Sequence, residues 1–226
     1  MELKTVVPWG RSFAEYLEMF SLTDSDLKRS ILGCGDGPAS FNAELTTNGG
    51  NVVSIDPAYH FDSVSLQSRI SEAYDEIMPQ VQQQQDKYIW ESIASVEELG
   101  RIRMDAMQRF ISDYEVGKKS GRYIYESLPE LSFQENQFDL VLCSHYLFLY
   151  SDHVGLEEHL ASIKELCRVA REVRIYPLLS LNGEISPHLK EVFLLLQNSE
   201  FVASLADVKY QFQKGATQML VIESVS

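Results

Sequence analysis

Five consecutive residues, Gly33-Cys34-Gly35-Asp36-Gly37, follow the short apolar run Ser30-Ile31-Leu32 and precede Pro38. Glycines at this spacing let a backbone turn sharply and approach a ligand more closely than any Cβ allows. Asp56 lies nineteen residues beyond Gly37 and closes a second apolar run, Val52-Val53-Ser54-Ile55. A carboxylate there can accept hydrogen bonds from the 2′- and 3′-hydroxyls of a ribose. The plainer alternative is a strand-end turn residue before Pro57. Together the two features point to a nucleoside-type ligand at the carboxyl edge of a sheet.

The elements that must position these residues are legible in outline. Residues 12–20 place apolar side chains at helical spacing behind Ser12, an N-cap type. Pro38 suits the first turn of a helix running to about Thr47, which Asn48-Gly49-Gly50 stops. Residues 58–119 interleave polar and apolar positions at helical period, as in Ile102, Met104–Met107, Phe110, Ile111 and Tyr114, and predict two to four helices without a strand. Strands are expected at 123–125, at 138–144 (apolar on both faces, as in a parallel strand), and at 172–176. Helices are expected at about 155–169 and 187–198. Two further strands, about 206–213 and 218–224, join through Lys214-Gly215-Ala216-Thr217 as a hairpin. The order defines a doubly wound, Rossmann-like α/β fold with a seven-stranded sheet, an antiparallel C-terminal hairpin and a helical insertion, all in one domain of residues 1–226.

A dinucleotide fingerprint would need its third glycine at position 38, so Pro38 disfavours a nicotinamide-dependent oxidoreductase. The spacing Gly-x-Gly-x-Gly instead resembles the first motif of class I S-adenosylmethionine-dependent methyltransferases. Leu131 through Val141 looks like the segment that leads into their fourth strand. Glu165-Leu166-Cys167-Arg168-Val169 is similar to the end of the helix before their fifth. The matched segments cover about 28–56 and 121–224. The resemblance implies S-adenosylmethionine as cofactor, held by Gly33, Cys34, Gly35, Asp36, Gly37 and Asp56, with Ser144 at the end of the fourth strand. Near the adenine, Glu126 and Ser127 are alternative contacts. One departure is Ile31, where many members carry an acid for the methionine amine; Asp36 is the candidate substitute.

Methyl transfer from a sulfonium asks the protein chiefly for orientation, exclusion of water and sometimes a base. Candidates fall just past the fourth strand, at Ser144-His145-Tyr146. His145 is the candidate base, with an ordinary pKa of ~6.5; a histidine packed at a strand end is the competing reading. Tyr146 is the second catalytic candidate, ahead of Tyr150, Asp152 and His153. The insertion at 58–119 is expected to act as a lid that sets specificity. Tyr59, Phe61, Tyr74, Tyr88, Trp90, Met104 and Met107 either line its pocket or pack it onto the sheet.

With 33 acidic and 19 basic residues, the chain carries a formal charge of −14. Binding through phosphates needs a Lys/Arg stripe, whereas Arg168, Arg171 and Arg174 stand isolated among acids. Nucleic acid and membranes are therefore not expected partners, and a small-molecule acceptor is. The Asn/Asp-Pro-Pro-Tyr motif of amino methyltransferases is missing after the fourth strand, and Cys143 lacks the flanking proline of cytosine-C5 enzymes. No metal is expected, because the histidines and acids lack ligand spacing. Cys34, Cys143 and Cys167 read as reduced, buried thiols, and without a signal-like N-terminus the expected location is the cytoplasm. The leading expectation is a small-molecule methyltransferase. Its rivals are a non-catalytic S-adenosylmethionine sensor, and an RNA or protein methyltransferase that needs a partner. The oligomeric state and the acceptor stay open.

Overall fold

The apolar runs form one seven-stranded sheet in the computed structural model, which describes residues 7–197 and 201–224. The strands are β1 (Ser30–Cys34), β2 (Asn51–Ile55), β3 (Tyr123–Ile124), β4 (Leu140–Ser144), β5 (Glu172–Tyr176), β6 (Phe201–Asp207) and β7 (Gln218–Ser224). They lie in the order β3-β2-β1-β4-β5-β7-β6. β1 to β5 are parallel, and β7 runs antiparallel to its neighbours β5 and β6. Because parallel neighbours need crossovers, the connections carry α2 (Phe41–Thr47), α3 (Ser63–Gln83), α4 (Val96–Lys119), α5 (Leu156–Val169) and α6 (Leu189–Gln197), while α1 (Phe13–Met19) precedes β1.

Strand alternation divides the core. Leu32, Val141, Cys143 and Ile175 point to the face covered by α5 and α6, whose Ile163, Leu166, Val192 and Leu196 complete that cluster. Ile31, Leu140, Leu142 and Tyr176 point the other way, toward α1, α2, α3 and the start of α4. The far half of α4 is held to β3 by a knot of rings, Tyr59, Phe110, Tyr114 and Tyr123. Among the described residues three α-helix starts have a side-chain cap. Ser12 and Glu15 form a reciprocal capping box on α1, Asp62 caps α3 and Ser95 caps α4. In α4, Glu97 and Glu98 in the first turn and Lys118 and Lys119 in the last also complement the helix dipole.

Several boundaries differ from expectation. The helix after the glycine loop begins at Phe41, not Pro38. Residues 36–39 close a turn instead, with Ala39 N–H donating to the Asp36 carbonyl, and Ser40 N–H is bonded to the Arg11 carbonyl at 3.0 Å. β4 starts at Leu140, leaving Phe138 a single bridge to Ala170. β3 ends at Ile124, and the end of the expected 187–198 helix, Asn198, lies outside the described residues. The largest correction concerns 206–213: β6 ends at Asp207. Beyond it Val208, Tyr210 and Phe212 are all buried. Those residues leave the sheet, however, and Ile89 N–H donates to the Phe212 carbonyl while Lys214 N–H donates to the Lys87 carbonyl. Ala206 and Asp207 thus pair with β7 in the expected antiparallel hairpin, Val208 N–H still donates to the Thr217 carbonyl, and the segment beyond pairs with the insertion.

Candidate cofactor and acceptor site

The five parallel strands end at one edge of the sheet, and a residue just beyond each end lines a single cavity: Gly35, Asp56, Glu126, His145 and Pro177. Its volume is about 440 Å³, within the ~300–1,000 Å³ range of small-molecule pockets. It lies where the strand order reverses, between β1 and β4, the position at which open α/β sheets bind ligands.

The glycines of the loop have different tasks. A side chain on Gly33 would overlap the Asp36 carboxyl, which folds back over it. Gly35 has φ +70°, and a Cβ there would stand 2.9 Å from Tyr146 Cβ. Gly37 has φ +51°, and its nearest obstacle to a Cβ is Asp56 Oδ2 at 3.8 Å. Gly37 therefore leaves open space beside the carboxylate. Gly33 and Ser144 stand behind the cavity wall, whereas Cys34, Gly35, Asp36, Gly37 and Asp56 form part of it. Cys34 and Cys143 are buried neighbours across β1 and β4, and all three cysteines are free.

Asp56 closes a strand-end turn and also lines the cavity. Its Oδ1 accepts from Ala58 N–H at 2.7 Å, capping a 3-10 turn, and its Oδ2 accepts from Gly37 N–H at 2.8 Å. Each oxygen retains a further acceptor site toward the cavity. Burial raises its pKa against those two bonds. Asp36 is more deeply held, accepting from Tyr16 Oη at 2.7 Å and Ser54 Oγ at 2.6 Å. Burial, opposed by these two bonds and assisted by Asp56, pushes its carboxyl up to about 7. Ile31, at the position where the resemblance expects an acid, is wholly buried in the core, whereas Asp36 in the glycine loop lines the cavity.

Glu126 and Ser127 both reach the cavity, but the Glu126 carboxylate is engaged with Ser132, through its backbone N–H at 3.1 Å and its hydroxyl. His145 has φ +51°, a left-handed conformation uncommon outside glycine. Its N–H donates to the Tyr176 carbonyl at 2.8 Å, and Nδ1 lies 3.0 Å from Ser144 Oγ. Burial, together with the charges of Arg11 and Arg103, holds its pKa well below 6.5, so the ring is neutral. Tyr146 lines the cavity with its phenol pushed up to about 12 by burial. Tyr150 also lines it, whereas Asp152 and His153 do not.

Of the insertion's aromatic and methionine candidates, Phe61 and Tyr88 reach the cavity. Tyr59 braces the loop from behind, donating to the Gly37 carbonyl at 2.8 Å, and Met107 is packed in the interior. Arg11, Arg103 and Tyr210 also line the cavity and were not expected. Arg103 had a signal: it occupies the buried stripe Leu99, Arg103, Met107, Phe110 of α4, an arginine at an apolar position. Among the described residues no group of three or more His, Cys, Asp or Glu side chains is arranged to hold a metal, and no helix is long and apolar enough to cross a membrane.

This strand order, with its antiparallel β7 and a glycine loop after β1, is the class I methyltransferase fold. No protein-family model matches the chain. It is 31% identical over 223 residues to the uncharacterized protein MJ0045 of Methanocaldococcus jannaschii, covering 98% of each sequence, and belongs to the same family. Among solved structures it resembles WbdD in complex with the kinase inhibitor LY294002, with a TM-score of 0.52 at 13% identity over 94% of this chain and 40% of that one. It also resembles magnesium protoporphyrin IX methyltransferase from Synechocystis PCC 6803 with bound SAM, with a TM-score of 0.46 at 14% identity over 89% and 73% of the two chains. At 13% identity the likeness to WbdD is one of fold alone.

Proposed function

We propose that the protein is an S-adenosylmethionine-dependent methyltransferase acting on a small molecule. The observation that carries this reading is the pairing of Gly37 with Asp56: a glycine with open space above it, bonded to a carboxylate at the end of β2, both on one cavity at the sheet's switch point. These residues suit a nucleoside. Asp56 would receive the ribose hydroxyls, the Gly35–Gly37 backbone would lie along the methionine portion, and Asp36 would face its ammonium. Glu126, Ser127 and Leu128 form the wall next to β3, where an adenine would be enclosed. When bound, S-adenosylmethionine supplies an activated methyl carbon. The chain's own part is to hold the acceptor in line, shed water and accept a proton. His145, a neutral imidazole on the cavity wall, can take that proton from a hydroxyl or amine.

Calorimetry with S-adenosylmethionine, S-adenosylhomocysteine and NAD tests the reading. Micromolar binding of the first two supports it. Binding of NAD alone would sink it.

A further inference from the structure

Asp36, Asp56, Glu126 and Arg69 line the cavity, and a separate charged cluster stands on its wall: the guanidiniums of Arg11 and Arg103, with Glu15 as the one carboxylate acting on both. Arg103 is 1% exposed; it pairs with Glu15 and donates to Tyr210 Oη at 3.3 Å, and Tyr210 in turn donates to Glu15 Oε1 at 2.6 Å. Glu15 also serves the α1 capping box through Ser12 N–H and Oγ, so its acceptor capacity is spent inside the cluster. Arg11, the second cation, donates to the Trp9 carbonyl and forms no ion pair among the described residues. The Nε atoms of both Arg11 and Arg103 are buried without a hydrogen-bond partner among the described residues.

A desolvated guanidinium without a counter-ion is costly, and buried charges are ordinarily paired. Surplus positive charge is the more telling in a chain of net charge −14, which has carboxylates in excess. In contrast, Arg29, Arg122, Arg168 and Arg174 are each paired with acids. Within this cluster of Arg11, Arg103 and Glu15 the surplus is one unit, which matches a monoanion. Around it the walls are aromatic: Tyr88 and Phe212 stack at 4.9 Å, and Tyr176 lies beside His145.

We propose that Arg11 and Arg103 form an anchoring site for the carboxylate of an apolar or aromatic carboxylic acid. In the methyltransferase reading, on which only this assignment of role rests, that acid is the methyl acceptor. The guanidiniums are binding groups; the atom that receives the methyl group lies elsewhere on the same molecule, within reach of His145.

The test uses 2-naphthoate, 2-naphthamide and 2-naphthyl phosphate as probes, titrated calorimetrically into the full-length protein with and without saturating S-adenosylhomocysteine. Binding of S-adenosylhomocysteine is read separately, so its failure would count against the methyltransferase reading and leave the anion site to be judged on the naphthyl probes. The site predicts naphthoate binding tighter than naphthamide by about tenfold or more, the scale of a charged hydrogen bond. Arg11→Gln should erase that preference and Arg11→Lys should restore part of it, both with an unchanged melting temperature to within a few degrees. Equal binding of acid and amide, absence of binding by either, or a preference unchanged in Arg11→Gln would overturn the proposal. Tighter binding of the dianionic phosphate would overturn the assignment to a carboxylate.

Discussion

At the scale of single residues, the site works through small differences in what each backbone position tolerates. Gly35 and Gly37 both have positive φ, which costs a residue bearing a Cβ roughly 1–2 kcal/mol. Only at Gly35 would the added methyl also meet Tyr146. Gly35→Ala should therefore lower the melting temperature more than Gly37→Ala, whereas Gly37→Ala should mainly weaken S-adenosylhomocysteine; calorimetry and thermal denaturation on both variants check the split. Replacing Asp56 by Ala should cost about 1.5–3 kcal/mol of cofactor affinity if its carboxylate makes charged hydrogen bonds, and an unchanged affinity removes its ribose role. Asp36 makes a prediction with a definite sign. Its folded pKa of about 7 lies above the ordinary carboxylate value of 3.8, so the folded state holds the proton more tightly than the unfolded one. Its contribution to stability is full below the unfolded value and is lost as pH rises through about 7. The stability difference between wild type and Asp36→Asn, read from urea midpoints, should accordingly shift in favour of the variant between pH 4 and 8. His145 should remain neutral to well below pH 6.5 when its imidazole is followed by NMR.

At the scale of elements, the sequence reading succeeded where one face of a strand or helix decides burial. The runs at Ile31–Leu32, Val52–Ile55 and Val141–Cys143 had no other place than the sheet interior, and the glycine loop between β1 and α2 followed from its own composition. What escaped notice depends on long-range pairing. Arg103 was hidden because its partner Glu15 lies eighty-eight positions away. The 206–213 strand was drawn too long because a pattern of apolar residues announces burial, but not which neighbour the backbone will bond. His145 offered its type and not its left-handed backbone, which is imposed by the turn off β4. The α1–α4 tie carries a prediction of its own. Glu15→Gln would leave two buried guanidiniums without a counter-charge, a change that costs about 3–5 kcal/mol when a buried pair is broken. Burial works against ionisation of Glu15, but Arg103, Arg11 and Tyr210 together hold it down at about 2, so wild type keeps this contribution above pH 4.5 and loses it as pH falls toward 2. Urea denaturation at neutral pH and at pH 3 should show a large gap between wild type and variant at the first and a smaller one at the second.

At the scale of the molecule, charge is sorted by place: acids are in excess over the chain as a whole, and the cluster of Arg11, Arg103 and Glu15 on the cavity wall has one cation more than its carboxylate balances. The helices of the insertion are part of the main core through Ile77, Val81 and Leu99, so they pack as fold as well as wall. The cavity is also assembled from stretches far apart in the chain, among them Trp9 and Arg11, Leu99 and Arg103, His145 to Tyr150, and Tyr210 to Gln213. A molecule seated there acts as a rivet through distant parts of one chain. Its presence should slow amide hydrogen exchange at 9–11, 99–103 and 210–213 together and by a common factor, because no one of these stretches can open without releasing the others. At a hundredfold excess over the dissociation constant that common increment is ~2.7 kcal/mol, which makes exchange protection a way to find the natural ligand before any reaction is known.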